Sequence, residues 1–386
     1  MDQKTPQIES FPEMQDLGQK AEIVAKRLYY LDNLKLFLTI IVIVHHSTLL
    51  SLTGELFFYS LPYVGGNADG QYDLLSRFIT FNASYFMSLF FFVSALFVPS
   101  SLRRKGARRF VLDKLKRYGI PLILTIVLID PIAFGIGKGP TIGFWNEVML
   151  YWPNFHKDVL ALNFQFGVAW FLWILLLFSI AYALLEVFCI GKTQKQESKK
   201  SFPAFLQIAC FSVAIIPFNF AASYAQDLLG ENFLGLHHLK DFPLYVSMFI
   251  FGIMAEKNDW LESLTMKVAF PWIMLATVLS AIFTGDILWL EMVIRPFTVV
   301  GISMLLLYSF RHAYNQTSSF WSRFCSDSYS AYLVQLIPIA VTGVFYERYM
   351  TTSPIINAIL TSLLAVLLSY LAADILKHAP VLKRII

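Results

Sequence analysis

The sequence predicts an all-α polytopic membrane protein, a bundle of about ten transmembrane helices with both termini in the cytoplasm. Composition, block length and the placement of cations predict it. Of 386 residues, 57% are apolar and only 15% are charged, where a soluble chain carries roughly 25% charged residues. The apolar residues fall in blocks long enough to cross a bilayer, which takes about 20 residues per helix. The Lys and Arg residues collect in the segments between alternate blocks, as the positive-inside rule requires of cytoplasmic segments.

The blocks lie near 34–53, 78–98, 119–137, 168–190, 203–221, 242–256, 269–285, 289–310, 328–346 and 354–376. The sixth is short, and the eighth carries Arg295-Pro296. Before them, residues 1–26 form a polar tail without a signal-peptide pattern, read as a cytoplasmic extension. Residues 27–386 then form the membrane domain. The segment 99–118 holds Arg103, Arg104, Lys105, Arg108, Arg109, Lys114, Lys116 and Arg117, and 191–202 holds Lys192, Lys195, Lys199 and Lys200. Intervening segments are poor in cations: Arg77; Lys138 and Lys157; Lys240; Arg348. With ten spans, both basic segments fall on the side of the N-terminus, the cytoplasmic side of the inner membrane.

The net charge of +4 does not call for a nucleic-acid partner, since its distribution answers to the bilayer. Cys189, Cys210 and Cys325 lie in or beside apolar blocks without metal-ligand spacing, so neither zinc nor a disulfide framework is implied. No internal repeat of the kind that builds many transporters is visible.

The first block carries the chemistry. It holds His45 and His46, with Lys35 eleven residues before His46 and Asp32 three residues before Lys35. An ionisable group at membrane depth is costly and by default faces the protein interior. At about 100° per residue, Lys35 and His46 lie about 20° apart on the helix, and Asp32 lies about 40° from His46. His45 points about 80° away from Lys35, so the wheel favours His46 as the site residue. The rise puts His46 about 16 Å beyond Lys35. A neutral imidazole there suits a general base that takes a proton from a hydroxyl. The bland alternative is a structural histidine pair with Lys35 snorkelling to the interface.

Other polar residues carry paired readings. The cations of 103–117 anchor the chain to anionic lipid or dock the phosphates of a cytosolic donor. Asp130-Pro131 and Arg295-Pro296 interrupt spans, and an Asp130–Arg295 or Glu291–Arg295 ion pair is the expected compensation. His237-His238 in an outer segment reads as incidental. Trp170 and Trp173 form an interfacial aromatic belt or a stacking surface for a sugar.

In these motifs the chain resembles the integral-membrane acyltransferase family 3, nearest to its periplasmic-glucan succinyltransferase branch. The carriers are Arg27-x3-Leu31-Asp32-x-Leu34-Lys35-x10-His46, Phe90-Phe-Phe-Val-Ser94, the basic run Arg109 to Pro121, Trp170-Phe171-Leu172-Trp173, and Ser328-Tyr329-Ser-Ala-Tyr332-Leu333. The resemblance covers residues 27–376. It implies transfer of an acetyl or succinyl group from acyl-CoA, a co-substrate rather than a bound cofactor, to a hydroxyl of an envelope glycan or glycolipid. It implies His46 as base beside Asp32 and Lys35. Arg117, Lys114, Arg109 and Arg104 fall on the donor side, Trp170 and Trp173 on the acceptor side, and His45, Ser94, Arg295 and Gln335 are further candidates. The chain departs from the family pattern at Lys35, where the family has Arg, at Ala95, where it often has Gly, and at Gln335, where His is expected. The competing functions are a proton-coupled transporter using His46, Asp130 and Arg295 as a relay, and an inactive scaffold.

Overall fold

The computed structural model describes residues 28–56, 59–60, 70–190, 199–282, 287–316, 318–349 and 353–378. The tail 1–26, Arg27, Lys192 and Lys195 lie outside the described residues.

The described residues are mainly helical, with two short paired strands. The helices are α1 (Tyr29–Thr53), α2 (Gln71–Ala95), α3 (Val98–Lys105), α4 (Ala107–Lys114), α5 (Ile120–Leu124), α6 (Asp130–Ile142), α7 (Phe144–Leu160), α8 (Trp170–Leu185), α9 (Phe205–Leu229), α10 (Phe242–Lys257), α11 (Trp260–Ser263), α12 (Met266–Ile282), α13 (Leu288–Ala313), α14 (Ser319–Val334), α15 (Leu336–Tyr349) and α16 (Pro354–Lys377). After α1, β1 (Glu55–Leu56) and β2 (Tyr59–Ser60) pair antiparallel.

Among the described residues, seven helices are long and apolar enough to cross a membrane, or eight when the bent pair α14–α15 counts as one span. Helices α10 and α12 occupy the two other apolar blocks of the sequence but are 16 and 17 residues long. The protein is therefore a multi-pass helical membrane protein. Small residues let the short helices pack closely. A Cβ on Gly252 would fall 2.4 Å from the Phe92 carbonyl oxygen, so α10 rests directly on the backbone of α2.

Two parts of the chain differ from the sequence expectation. The basic segment 103–117, which lies between apolar blocks in the sequence, is itself helical: α3, α4 and the wide turn Leu115–Gly119 carry it, hinged at Gly106 with φ 73°. Arg and Lys are good helix formers, and glycine accepts the left-handed backbone between the two pieces. The segment 138–168 holds α7, a helix exposing Trp145, Met149, Trp152 and Leu160 and burying Glu147 and Tyr151. An amphipathic helix of that kind suits a bilayer interface.

Contacts between helix ends fix the relative directions. Asn33, near the start of α1, donates to the Tyr314 and Gln316 carbonyls and accepts from the Cys325 thiol. Arg323 forks onto Asp374 near the end of α16. The first and last described helices thus start and finish at one end of the bundle. The same end gathers the basic residues: Arg103 meets Glu256 at 2.6 Å, Lys257 meets Glu186 at 3.4 Å, and Lys199 meets Asp259. At the opposite end, Ser51 bonds Thr361 at 3.1 Å.

Candidate active site

Helix α1 is buried along one side, with Leu31, Leu34, Leu38, Val42 and Ile43 packed in the core. That packing sets its rotation and therefore which way its polar residues point. Asp32 and Lys35 meet at 3.6 Å, and the Lys35 Nζ lies 4.3 Å from the centre of the Phe97 ring. Three turns deeper, His46 is partly buried. His45 is buried, with its ring 5.1 Å from Phe86, and its Nδ1 has no hydrogen-bond partner among the described residues.

His46 Nδ1 lies 3.1 Å from Gln335 Oε1, and Gln335 Nε2 donates to the Tyr332 carbonyl at 2.8 Å. The second bond settles which end of the amide faces the ring. An amide oxygen only accepts, so Nδ1 carries the hydrogen and Nε2 is left as the basic nitrogen. Gln335 is wholly buried at the junction of α14 and α15, where the axis turns by 67°. Pro338 accounts for the break: it has no N–H to offer the carbonyl four residues back, at Val334. Gln335 therefore replaces the expected histidine with a group that orients His46 without competing for its proton.

The segment between α9 and α10, which the sequence gives no reason to place here, reaches the same region. His237 and His238 both lie within electrostatic reach of His46. His237 stacks on Trp170 at 5.3 Å between ring centres, and its Nδ1 is 2.6 Å from Asn232 Oδ1. His238 Nδ1 lies 2.5 Å from Glu231 Oε1. Burial first, then neighbouring His238 and His46, hold the His237 imidazole well below its usual pKa. Trp173 Nε1 clamps the segment by donating to the Leu234 carbonyl at 3.1 Å. Trp170 is itself buried among Phe91, Tyr245 and His237. Its faces are turned to protein rather than to an open stacking surface. No single local signal in the sequence marks this approach; the His-His dipeptide is its only trace.

The remaining candidates separate. Arg295 pairs with Asp241, meets Glu291 at 3.2 Å and donates to the Ala83 carbonyl at 2.7 Å. Of the two expected ion pairs, the Glu291 pair forms, and Asp241 takes the place expected of Asp130. Asp130 is fully buried beside Gly167, and neither carboxyl oxygen has a hydrogen-bond partner among the described residues. Ser94 is half-buried near the end of α2, eight residues along from Phe86. Arg104, Arg109 and Arg117 are exposed. Lys114 is buried between the Phe110 and Tyr118 rings and donates to the Tyr118 hydroxyl at 3.2 Å.

A family model described as an acyltransferase domain matches residues 28–374, almost the whole described chain. The chain belongs to acyltransferase family 3. Neither a curated protein nor a solved structure gives a match. The acyltransferase domain thus includes every helix from α1 to all but the last residues of α16. Within it, His46 on α1 is bonded by Gln335 at the α14–α15 junction and lies within electrostatic reach of the segment before α10. Among the described residues no group of three or more His, Cys, Asp or Glu side chains is placed to hold a metal ion.

Proposed function

We propose that this acyltransferase moves an acetyl or succinyl group from cytosolic acyl-CoA to a hydroxyl of an envelope glycan or glycolipid, with His46 as general base. The observation that carries the reading is the Gln335 bond to His46 Nδ1, which leaves Nε2 basic. In the reaction, Nε2 takes the proton of the acceptor hydroxyl as its oxygen attacks the thioester carbonyl. The tetrahedral adduct collapses, the carbon–sulfur bond breaks, and the coenzyme A thiolate leaves. Nε2 then returns the proton to that sulfur, so base and acid are one group used twice.

The gathering of cations at one end of the bundle supports entry of the donor there, on the inner face of the cytoplasmic membrane. Buried Lys114 and exposed Arg104, Arg109 and Arg117 supply charge for its phosphates. The acceptor approaches from the opposite end, past the segment that carries His237 and His238. A proton relay through Asp130 and Arg295 finds less support, since Arg295 is held by Asp241 and Glu291.

The test is acyl transfer by purified protein in lipid, followed by mass spectrometry of the acceptor glycan. His46→Ala is expected to lower turnover by about 10²-fold or more with the fold intact. Unchanged turnover in His46→Ala would remove the assignment of the base. Transport of protons or sugar without thioester consumption would remove the reaction.

A further inference from the structure

Two cavities adjoin at the end of the bundle where α1 begins, away from the α14–α15 junction. The first is a half-open cavity of about 80 Å³ between α9, α10 and α13. Its walls are carbon, from side chains such as Phe92, Ile208, Met248, Val300 and Leu307, and one hydroxyl, Ser303. Ser303 is buried, and its Oγ has no hydrogen-bond partner among the described residues. The second, also half-open, has a volume of about 310 Å³ and shares the walls Ala255 and Leu261 with the first. It is lined by Arg311, Asn315 and three carboxylates, Glu256, Asp259 and Glu262.

The chemistry of the pair is that of an amphiphile. A cavity of carbon takes a hydrocarbon chain. A buried hydroxyl with nothing to bond is costly, and an ester carbonyl on the chain would relieve it. The polar chamber then takes the headgroup. Glu256 is engaged by Arg103 and Asp259 by Lys199, whereas Glu262 has no ion pair among the described residues. Arg311 gives one N–H to the Leu261 carbonyl, one of five donors on its fork. The chamber therefore offers a cation for a phosphate and a carboxylate for an amine. A donor with several phosphates would face three carboxylates there, so the chamber is a poor place for acyl-CoA.

We propose that these cavities bind one glycerophospholipid with an aminoethyl phosphate headgroup, its phosphate on Arg311 and its ammonium on Glu262. One acyl chain lies in the carbon-lined cavity, with its ester carbonyl toward Ser303. The proposal rests on the membrane fold and is independent of the identity of the acyl acceptor.

The experiment reconstitutes full-length protein in bilayers of equimolar phosphatidylethanolamine and phosphatidylglycerol, then measures retained lipid by native mass spectrometry. Wild type is expected to keep one phosphatidylethanolamine at least fivefold over phosphatidylglycerol. Arg311→Gln is expected to reduce retention of both lipids, and Glu262→Gln to remove the preference. Ser303→Phe, which fills the cavity, is expected to reduce retention about tenfold. The competition in wild type decides the matter even where Ser303→Phe does not fold. Equal or greater retention of phosphatidylglycerol, or no retained lipid, would overturn the proposal. So would displacement of the lipid by acyl-CoA at equal concentration.

Discussion

At the residue scale the site turns on one hydrogen bond. The imidazole of His46 has two nitrogens, and only a partner that accepts at Nδ1 makes Nε2 the base. Gln335 is such a partner because its own N–H is committed to the Tyr332 carbonyl. A glutamine cannot take the proton, so it holds the ring without sharing its titration. Gln335→Leu should therefore lower kcat by about 10²-fold while leaving the KM for the donor nearly unchanged. Gln335→Glu sets a carboxylate against Nδ1–H and favours the imidazolium. The acidic limb of the pH–rate profile should then move to higher pH, by about one unit or more. A merely structural role for Gln335 would lower the profile at every pH without moving its limb. That His46 is a candidate could be read from the sequence, because the helical wheel sets it on the stripe of Asp32 and Lys35. The service of Gln335 could not, since position 335 appears there only as a missing histidine. The approach of His237 depends on how a segment folds back over the bundle, and residue spacing carries no record of that.

At the element scale, prolines shape the helices and other side chains repair the damage. Each proline leaves the carbonyl four residues earlier without its usual donor. In α13, Pro296 does this to Met292, whose carbonyl accepts from Asn219 Nδ2 at 3.3 Å. In the span from Ala107 to Lys138, Pro121 does it to Arg117, whose carbonyl accepts from the Tyr329 hydroxyl at 2.7 Å. The wide turns Leu115–Gly119 and Thr125–Ile129 precede Pro121 and Pro131 and absorb the ring clash. The interrupting prolines were legible in the sequence, but their partners come from distant helices and were not. Asn219→Leu and Tyr329→Phe should each lower stability by about 1 kcal/mol, read by chemical unfolding in detergent. Gly167 is a harsher case. It has φ +46°, and a Cβ there would fall 2.6 Å from Asp130 Oδ1 and 2.8 Å from Leu336 Cδ1. Gly167→Ala should cost about 1–3 kcal/mol through backbone strain and overlap. A melting temperature equal to wild type would show that the turn relaxes freely.

At the scale of the whole molecule, charge and contact geometry constrain the same variable, the number of crossings. The first and last described helices meet at one end through Asn33, Cys325, Arg323 and Asp374, which fits an even number of crossings between α1 and α16. The sequence expects ten spans, and length alone admits seven or eight. The difference lies in α10 and α12 and in the bent pair, which are short or broken for packing reasons. A helix of 16 or 17 residues rises about 24–26 Å, less than the hydrocarbon core of about 30 Å. Such helices span only with the local thinning or side-chain snorkelling that short segments accept. Single cysteines distinguish the arrangements once Cys189, Cys210 and Cys325 are replaced by serine. In intact cells, cysteines placed at Arg108 and Lys257 should resist a membrane-impermeant maleimide, and cysteines at Leu160 and Leu234 should react. Lys257 ends α10 beside Glu186, so its protection together with reaction at Leu234 requires that α10 cross the membrane. Reaction at Lys257 would instead make α10 a re-entrant helix. His237 and His238 immediately precede α10, so an α10 that crosses keeps them at the end opposite Arg103, Lys199 and Lys257, where the donor is proposed to enter.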